Sequence, residues 1–198
     1  MIVIACNTAT VASLDYLRST FAIPIVGAVP VIKPACQLSK NKRVAILATP
    51  TTAASAYVQN LITTFAGDVD VIVTPCPGLA DLVDTGDFDS PQVIAALQRF
   101  LAPAIAHDAD VVGLGCTQYP FLRAQIARIL PPGVTLLDSN QPVATHVQRL
   151  MLGHEGVDAS LHSPDYTFYA TQDAPTFCRI AQKLVGSIIR SCEPLTLK

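Results

Sequence analysis

Tryptophan is absent from this 198-residue sequence, methionine occurs twice, and aromatic residues make up 6% of it. A core must therefore be built from aliphatic side chains. Charge is scarce too: 14% of residues are Asp, Glu, Lys or Arg, and 13 basic residues against 15 acidic ones leave a net charge of −2. The basic residues are scattered singly, so no stripe is available to follow a phosphate backbone and no nucleic-acid partner is indicated. Long apolar runs are missing. Residues 1–5, 44–48 and 111–114 are apolar, but each is far shorter than the roughly 20 residues needed to cross a bilayer. No membrane partner is indicated either.

The six cysteines contain no CxxC pair, so neither a zinc ribbon nor a thioredoxin-type site is readable. Their irregular spacing in a chain of this length, with no signal peptide at its start, does not describe a disulfide framework. A reducing, cytoplasmic compartment is the expectation. His146, His154 and His162 recur at intervals of eight, which does not put them on one helix face as a metal pair requires. Phosphate-cradling loops of the GxGxxG or Walker type are absent. Lys33, Lys40, Lys42, Lys183 and Lys198 read as ordinary surface or helix-end lysines, with no setting for pyridoxal phosphate. The expectation is a chain without metal or organic cofactor.

What is present alternates. Strand-like runs at 2–5, 23–27, 43–48, 69–74, 110–114, 134–137 and 167–170 are separated by helical spacing at 12–19, 31–38, 53–65, 79–84, 91–106, 121–130, 143–152 and 175–185. That order implies an α/β fold with parallel sheets flanked by helices. Ser90-Pro91 signals a helix start, as does Asn140 with Pro142. Residues 160–164 read as a surface loop and 196–198 as a frayed tail. The run at 1–5 reads as a strand buried on both faces, and its position at residue 1 suggests that something upstream is missing.

Two segments share one grammar. An apolar strand runs into Cys6-Asn7-Thr8-Ala9-Thr10, and another into Cys116-Thr117-Gln118-Tyr119-Pro120. Ligands of open α/β sheets bind at the carboxyl ends of strands, so both thiols should face such a crevice. A helix starting after each would lower the thiol pKa and offer N–H groups to a carboxylate. Ala48-Thr49-Pro50-Thr51-Thr52 repeats the pattern with hydroxyls. Two thiols on opposing strand ends suit inversion of a carbon acid, in which one group takes a proton from one face while its counterpart delivers one to the other. Taken singly, however, a cysteine is more often structural. Cys36, Cys178 and Cys192, inside or beside helical stretches, are read that way, and so is Cys76, which lacks hydroxyl neighbours.

These motifs resemble the glutamate racemases of the aspartate/glutamate racemase superfamily. Residues 6–10 look like the first catalytic motif, and Gly115 to Pro120 resembles the second, normally Gly-Cys-Thr-His-Tyr-Pro. Ile23-Pro24-Ile25-Val26-Gly27 with Pro34, residues 44–57, Cys76-Pro77 with Leu82 to Gly86, Leu137-Asp138-Ser139 and Phe168 to Thr171 follow in family order. The resemblance implies cofactor-independent racemisation of L- and D-glutamate, supplying D-glutamate for peptidoglycan synthesis. Cys6 and Cys116 would be the paired proton carriers; Asn7, Thr8, Thr49, Thr52, Thr117 and Gln118 would bind substrate. Asp84 stands where the family often has Glu near the thiols and reads either as an assisting acid or as a solvated helix-end acid. The implied fold is two α/β lobes, 1–30 with 138–198 and 31–137, with the site between them.

Two departures accompany the match. The family's Asp-Ser-Gly and Pro-Tyr-Gly turns, which precede the first Cys motif, do not occur, so the first lobe is expected to be incomplete. It should expose apolar strand surface, which favours association, a homodimer included. The chain alone is expected to racemise glutamate feebly or not at all. Second, Gln118 replaces the motif's His, and an amide cannot exchange a proton at neutral pH. The alternatives are a racemase of aspartate or another amino acid and a non-catalytic binding protein on the same fold.

Overall fold

A computed structural model of the chain describes residues 1–153 and 166–197. The chain runs β1 (Ile2–Ile4), α1 (Asn7–Thr20), β2 (Ile25–Gly27), α2 (Ile32–Leu38), β3 (Arg43–Ala48), α3 (Pro50–Ala53), α4 (Ala56–Phe65), β4 (Asp70–Pro75), α5 (Leu79–Asp84), α6 (Pro91–Ala106), β5 (Val111–Gly115), α7 (Arg123–Ile129), β6 (Thr135–Asp138), α8 (Asn140–Leu152), β7 (Phe168–Ala170), α9 (Ala174–Val185) and β8 (Cys192–Pro194). Short 3-10 turns occupy Tyr119–Leu122 and Gly186–Ile188. Every strand pair is parallel, as the strand–helix alternation requires. His154, His162, the loop at 160–164 and Lys198 lie outside the described residues. Among those described, no helix is long and apolar enough to cross a membrane.

The centre is a four-stranded sheet in the order β4-β3-β5-β6. Residues 44–48 of β3 are fully buried, and their side chains alternate with the pleat. Ala45 and Leu47 join Val112 and Leu114 of β5 under α5, α6 and α7, packed with Leu79, Val83, Leu97 and Leu101. Val44, Ile46 and Val111 face the opposite layer, with Ile32 of α2 and Val58 of α4. Both faces are thus covered, which accounts for strands that read as unbroken apolar runs.

The strand order creates the site. From β3 the chain moves outward to β4, then returns past β3 to β5 on its other side. The connections after β3 and β5 therefore diverge, and a crevice opens at the carboxyl ends of those two strands. Ala48 and Gly115 sit side by side at those ends. A Cβ on Gly115 would lie 2.9 Å from the Leu47 carbonyl oxygen, so only glycine permits this close approach.

Four expectations need correction. The helix after Cys6 starts at Asn7, not at residue 12, because the Cys6 sulfur caps it by accepting from the Ala9 N–H at 3.4 Å. The helical run 53–65 is two helices, since Ser55 breaks it and caps α4 through the Val58 N–H. Cys192 lies on a strand, β8, paired with β7. Lastly, β1 is not buried on both faces: Ile2 and Val3 are 38% and 41% exposed. Its hydrogen-bonded neighbour is β2, in a separate two-stranded sheet.

Candidate functional site

The carboxyl ends of β1, β3 and β5 lead respectively into Cys6, Thr49 and Cys116. Cys6 is exposed, whereas Cys116 is 8% exposed. The two turns are tied together: the Thr117 hydroxyl donates to the Ala5 carbonyl at 3.1 Å, linking the residue after one cysteine to the residue before the other. Cys6 lies near enough to Cys116 for negative charge on Cys6 to oppose ionisation of Cys116.

Beside them is a triangle of hydroxyls. Thr8 Oγ1 lies 2.8 Å from Thr49 Oγ1 and 3.1 Å from Thr52 Oγ1, and Thr49 and Thr52 are 3.0 Å apart. Thr49 also caps α3 by accepting from the Thr52 N–H. Thr8 comes from the first turn of α1, so the triangle joins the β1–α1 segment to the end of β3. Asn7 is 1% exposed, and neither its amide nitrogen nor its amide oxygen has a partner. An unpaired buried polar group costs about 1–3 kcal/mol, so this pair of orphans needs an explanation.

Cys116 behaves otherwise than its sequence suggests. No α-helix starts behind it; a turn and the 3-10 segment come first, and α7 begins only at Arg123. Burial pushes its thiol up, opposed by the N–H groups of Gln118 and Tyr119, while Cys6 and Asp84 push the same way as burial. The expected lowering by a helix dipole is therefore overridden by desolvation. Gln118 turns its amide nitrogen to the Asp84 carboxylate at 2.6 Å and to the Ala80 carbonyl at 3.3 Å. Asp84, the last residue of α5, is thus engaged with Gln118 and is not a solvated helix-end acid.

Cys76 is buried, its thiol donating to the Thr74 carbonyl, and burial raises it to about 12. Cys36 is a buried residue of α2, in the core on the other face of the sheet. Two participants had no signal in the sequence. The Tyr119 hydroxyl, fully buried, donates to the Cys76 carbonyl at 3.4 Å. Lys183 reaches from α9 to the Thr85 carbonyl at 3.0 Å, across 98 positions of sequence. Among the described residues no group of three His, Cys, Asp or Glu is placed to hold a metal ion.

The family described as Asp/Glu/Hydantoin racemase matches residues 1–148. The glutamate racemase of Herpetosiphon aurantiacus is 40% identical over 184 residues, 93% of this chain and 72% of that protein. The glutamate racemase of Pseudomonas syringae pv. tomato is 43% identical over 88% of this chain and 63% of its own length. Among solved structures, Escherichia coli glutamate racemase in complex with L-glutamate and the activator UDP-MurNAc-ala superposes with a TM-score of 0.83 at 29% identity, covering 99% of this chain and 74% of that one. A Bacillus anthracis glutamate racemase isoform gives 0.85 at 29% identity, over 98% and 73% respectively. The family match over three quarters of the sequence and these likenesses agree: the chain belongs to the Asp/Glu/Hydantoin racemase family, among the glutamate racemases.

Proposed function

We propose that this protein inverts glutamate by two-thiol proton transfer, with Cys6 and Cys116 as the proton carriers. The observation that carries the reading is the hydrogen bond between Thr117 and Ala5, which ties the two cysteine turns across one crevice. In this scheme one cysteine, as thiolate, takes the α-proton and the C–H electron pair remains on carbon. The second thiol then gives its proton to the opposite face and becomes the thiolate. Atoms and charge balance, and the reverse direction exchanges the two roles.

The remaining groups suit an amino-acid zwitterion. The Thr8, Thr49 and Thr52 hydroxyls can each turn a proton toward a carboxylate, and Thr117 adds a fourth. Asn7 has an unpaired donor and an unpaired acceptor, which complement a carboxylate and an ammonium group. Gln118, held by Asp84, would orient the turn that follows Cys116. The solved Escherichia coli relative binds L-glutamate, which supports glutamate as the substrate. The product D-glutamate would serve peptidoglycan synthesis in the cytoplasm. Residues 1–30 with 138–198, and 31–137, are taken as the two lobes flanking the crevice; β6, at 135–138, pairs with β5 across that boundary by one residue. Association into a homodimer is part of the same reading, and sedimentation velocity tests it.

The decisive test follows L- and D-glutamate in deuterium oxide by circular dichroism and proton NMR. Inversion should carry solvent deuterium into the α-carbon without added metal or pyridoxal phosphate. Cys6→Ala and Cys116→Ala should each abolish it. Inversion of aspartate but not glutamate would sink the substrate assignment, and activity lost to a chelator would sink the mechanism.

A further inference from the structure

We propose that Lys183 is a positioning residue for the Cys116 turn, acting as a latch between α9 and the carboxyl end of α5. Its catalytic consequence rests on the racemase reading above; its structural consequence does not. Among the described residues, the bond from Lys183 Nζ to the Thr85 carbonyl is the single hydrogen bond joining 166–197 to 1–153. The acceptor is well chosen. Thr85 is the C-cap of α5, where carbonyls lack intrahelical partners and the helix dipole favours a cation.

Gly86 makes room for the latch. Its φ of +65° suits glycine, and a Cβ there would lie 2.5 Å from Lys183 Cε and 2.6 Å from Cδ. The lysine stem thus crosses the space that any other side chain would fill. Packing fixes α9 only in part at this point: Leu184 rests against the main core, but a cavity of about 370 Å³ is lined by Phe177 and Ile180 of α9 on one side and by Asp84 and Gln118 on the other. What the latch holds is one residue from the chemistry. Thr85 follows Asp84, Asp84 accepts from the Gln118 side chain, and Gln118 stands two residues after Cys116 in the same turn.

The test uses the whole protein with Lys183→Met, which keeps the apolar stem and removes the donor, and Lys183→Arg, which keeps a donor. Iodoacetamide labelling, read by peptide mass spectrometry, should find Cys116 about fivefold more reactive in K183M, because a turn loosened by about one hydrogen bond uncovers a sulfur that is 8% exposed in the native chain. Cys36, on the far face of the sheet, should be unchanged, and K183R should restore the native rate. In the racemase assay, kcat should fall about fivefold in the direction in which Cys116 takes the proton, with KM falling alongside, and stay level in the other. Unchanged or slower labelling of Cys116, labelling of Cys36 that rises with it, no rescue by arginine, or equal loss in both directions would each overturn the latch. If the native protein inverts no glutamate, the racemase reading fails, while the labelling still decides the latch.

Discussion

Single residues carry the sharpest expectations. Cys76 is raised to about 12 by burial from an ordinary value of 9.0. Its neutral thiol is favoured in the folded state, so the stability it contributes is full below pH 9 and is lost as pH rises from about 9 toward 12. Urea midpoints measured at pH 7 and pH 10.5 should therefore diverge, and the divergence should shrink in Cys76→Ala. Gln118 offers a different test. Its amide nitrogen is committed to Asp84 and Ala80, and it has no proton to exchange at neutral pH. Gln118→His can keep the bond to Asp84 and adds a titrating group beside Cys116. Its kcat should rise chiefly in the direction in which Cys116 is the base, with KM rising in proportion because the enantiomers are equal in energy. An equal gain in both directions, or none, would show the amide to be a neutral occupant. In the hydroxyl triangle, Thr52→Val removes one donor at a fully buried position. The KM for glutamate should rise about 5- to 30-fold, from the roughly 1–2 kcal/mol of a hydrogen bond to a charged group.

At the scale of elements, the central sheet and its neighbours were legible to the residue in several places. The strand 43–48 and the helices 79–84 and 91–106 stand where the sequence puts them. Two-sided burial produces continuous apolar runs, and Ser90 before Pro91 is a complete start signal. Elements at the margins were less legible. The start of α1 depended on a sulfur cap, which ranks below oxygen caps in any reading of a sequence. The split between α3 and α4 depended on which of several hydroxyls became the cap. Strand β8 has three residues, one of them proline, and so carries no periodicity to read. Lys183 was illegible for another reason: nothing in a sequence marks a lysine that meets a carbonyl 98 positions away. The packing makes its own prediction. Leu97 of α6 is fully buried against Leu47 and Leu114, so Leu97→Ala should cost about 2–5 kcal/mol in urea unfolding. Ser55→Ala, which removes the cap of α4 and the hydroxyl's bond to the Thr52 carbonyl, should cost about 0.5–2 kcal/mol.

Considered as a whole, the molecule has three separate parallel sheets among its described residues, one of four strands and two of two strands. The candidate site belongs to none of them alone. Its hydrogen bonds span 41 positions between Thr8 and Thr49, 44 between Thr8 and Thr52, and 112 between Ala5 and Thr117. Closing such loops costs chain entropy before any contact rewards it, and contacts far apart in sequence form slowly. The crevice should thus be the late arrival when the chain refolds. After dilution from urea, far-ultraviolet circular dichroism should recover first, as the helices and the central sheet form. Full protection of Cys116 from alkylation should lag behind it, because its turn is tied down by the Thr117–Ala5 bond, which forms when the first ten residues return to the ends of β3 and β5. A denatured pool would then pass through a state with its secondary structure in place and its reactive thiols bare, open to oxidation for as long as that interval lasts.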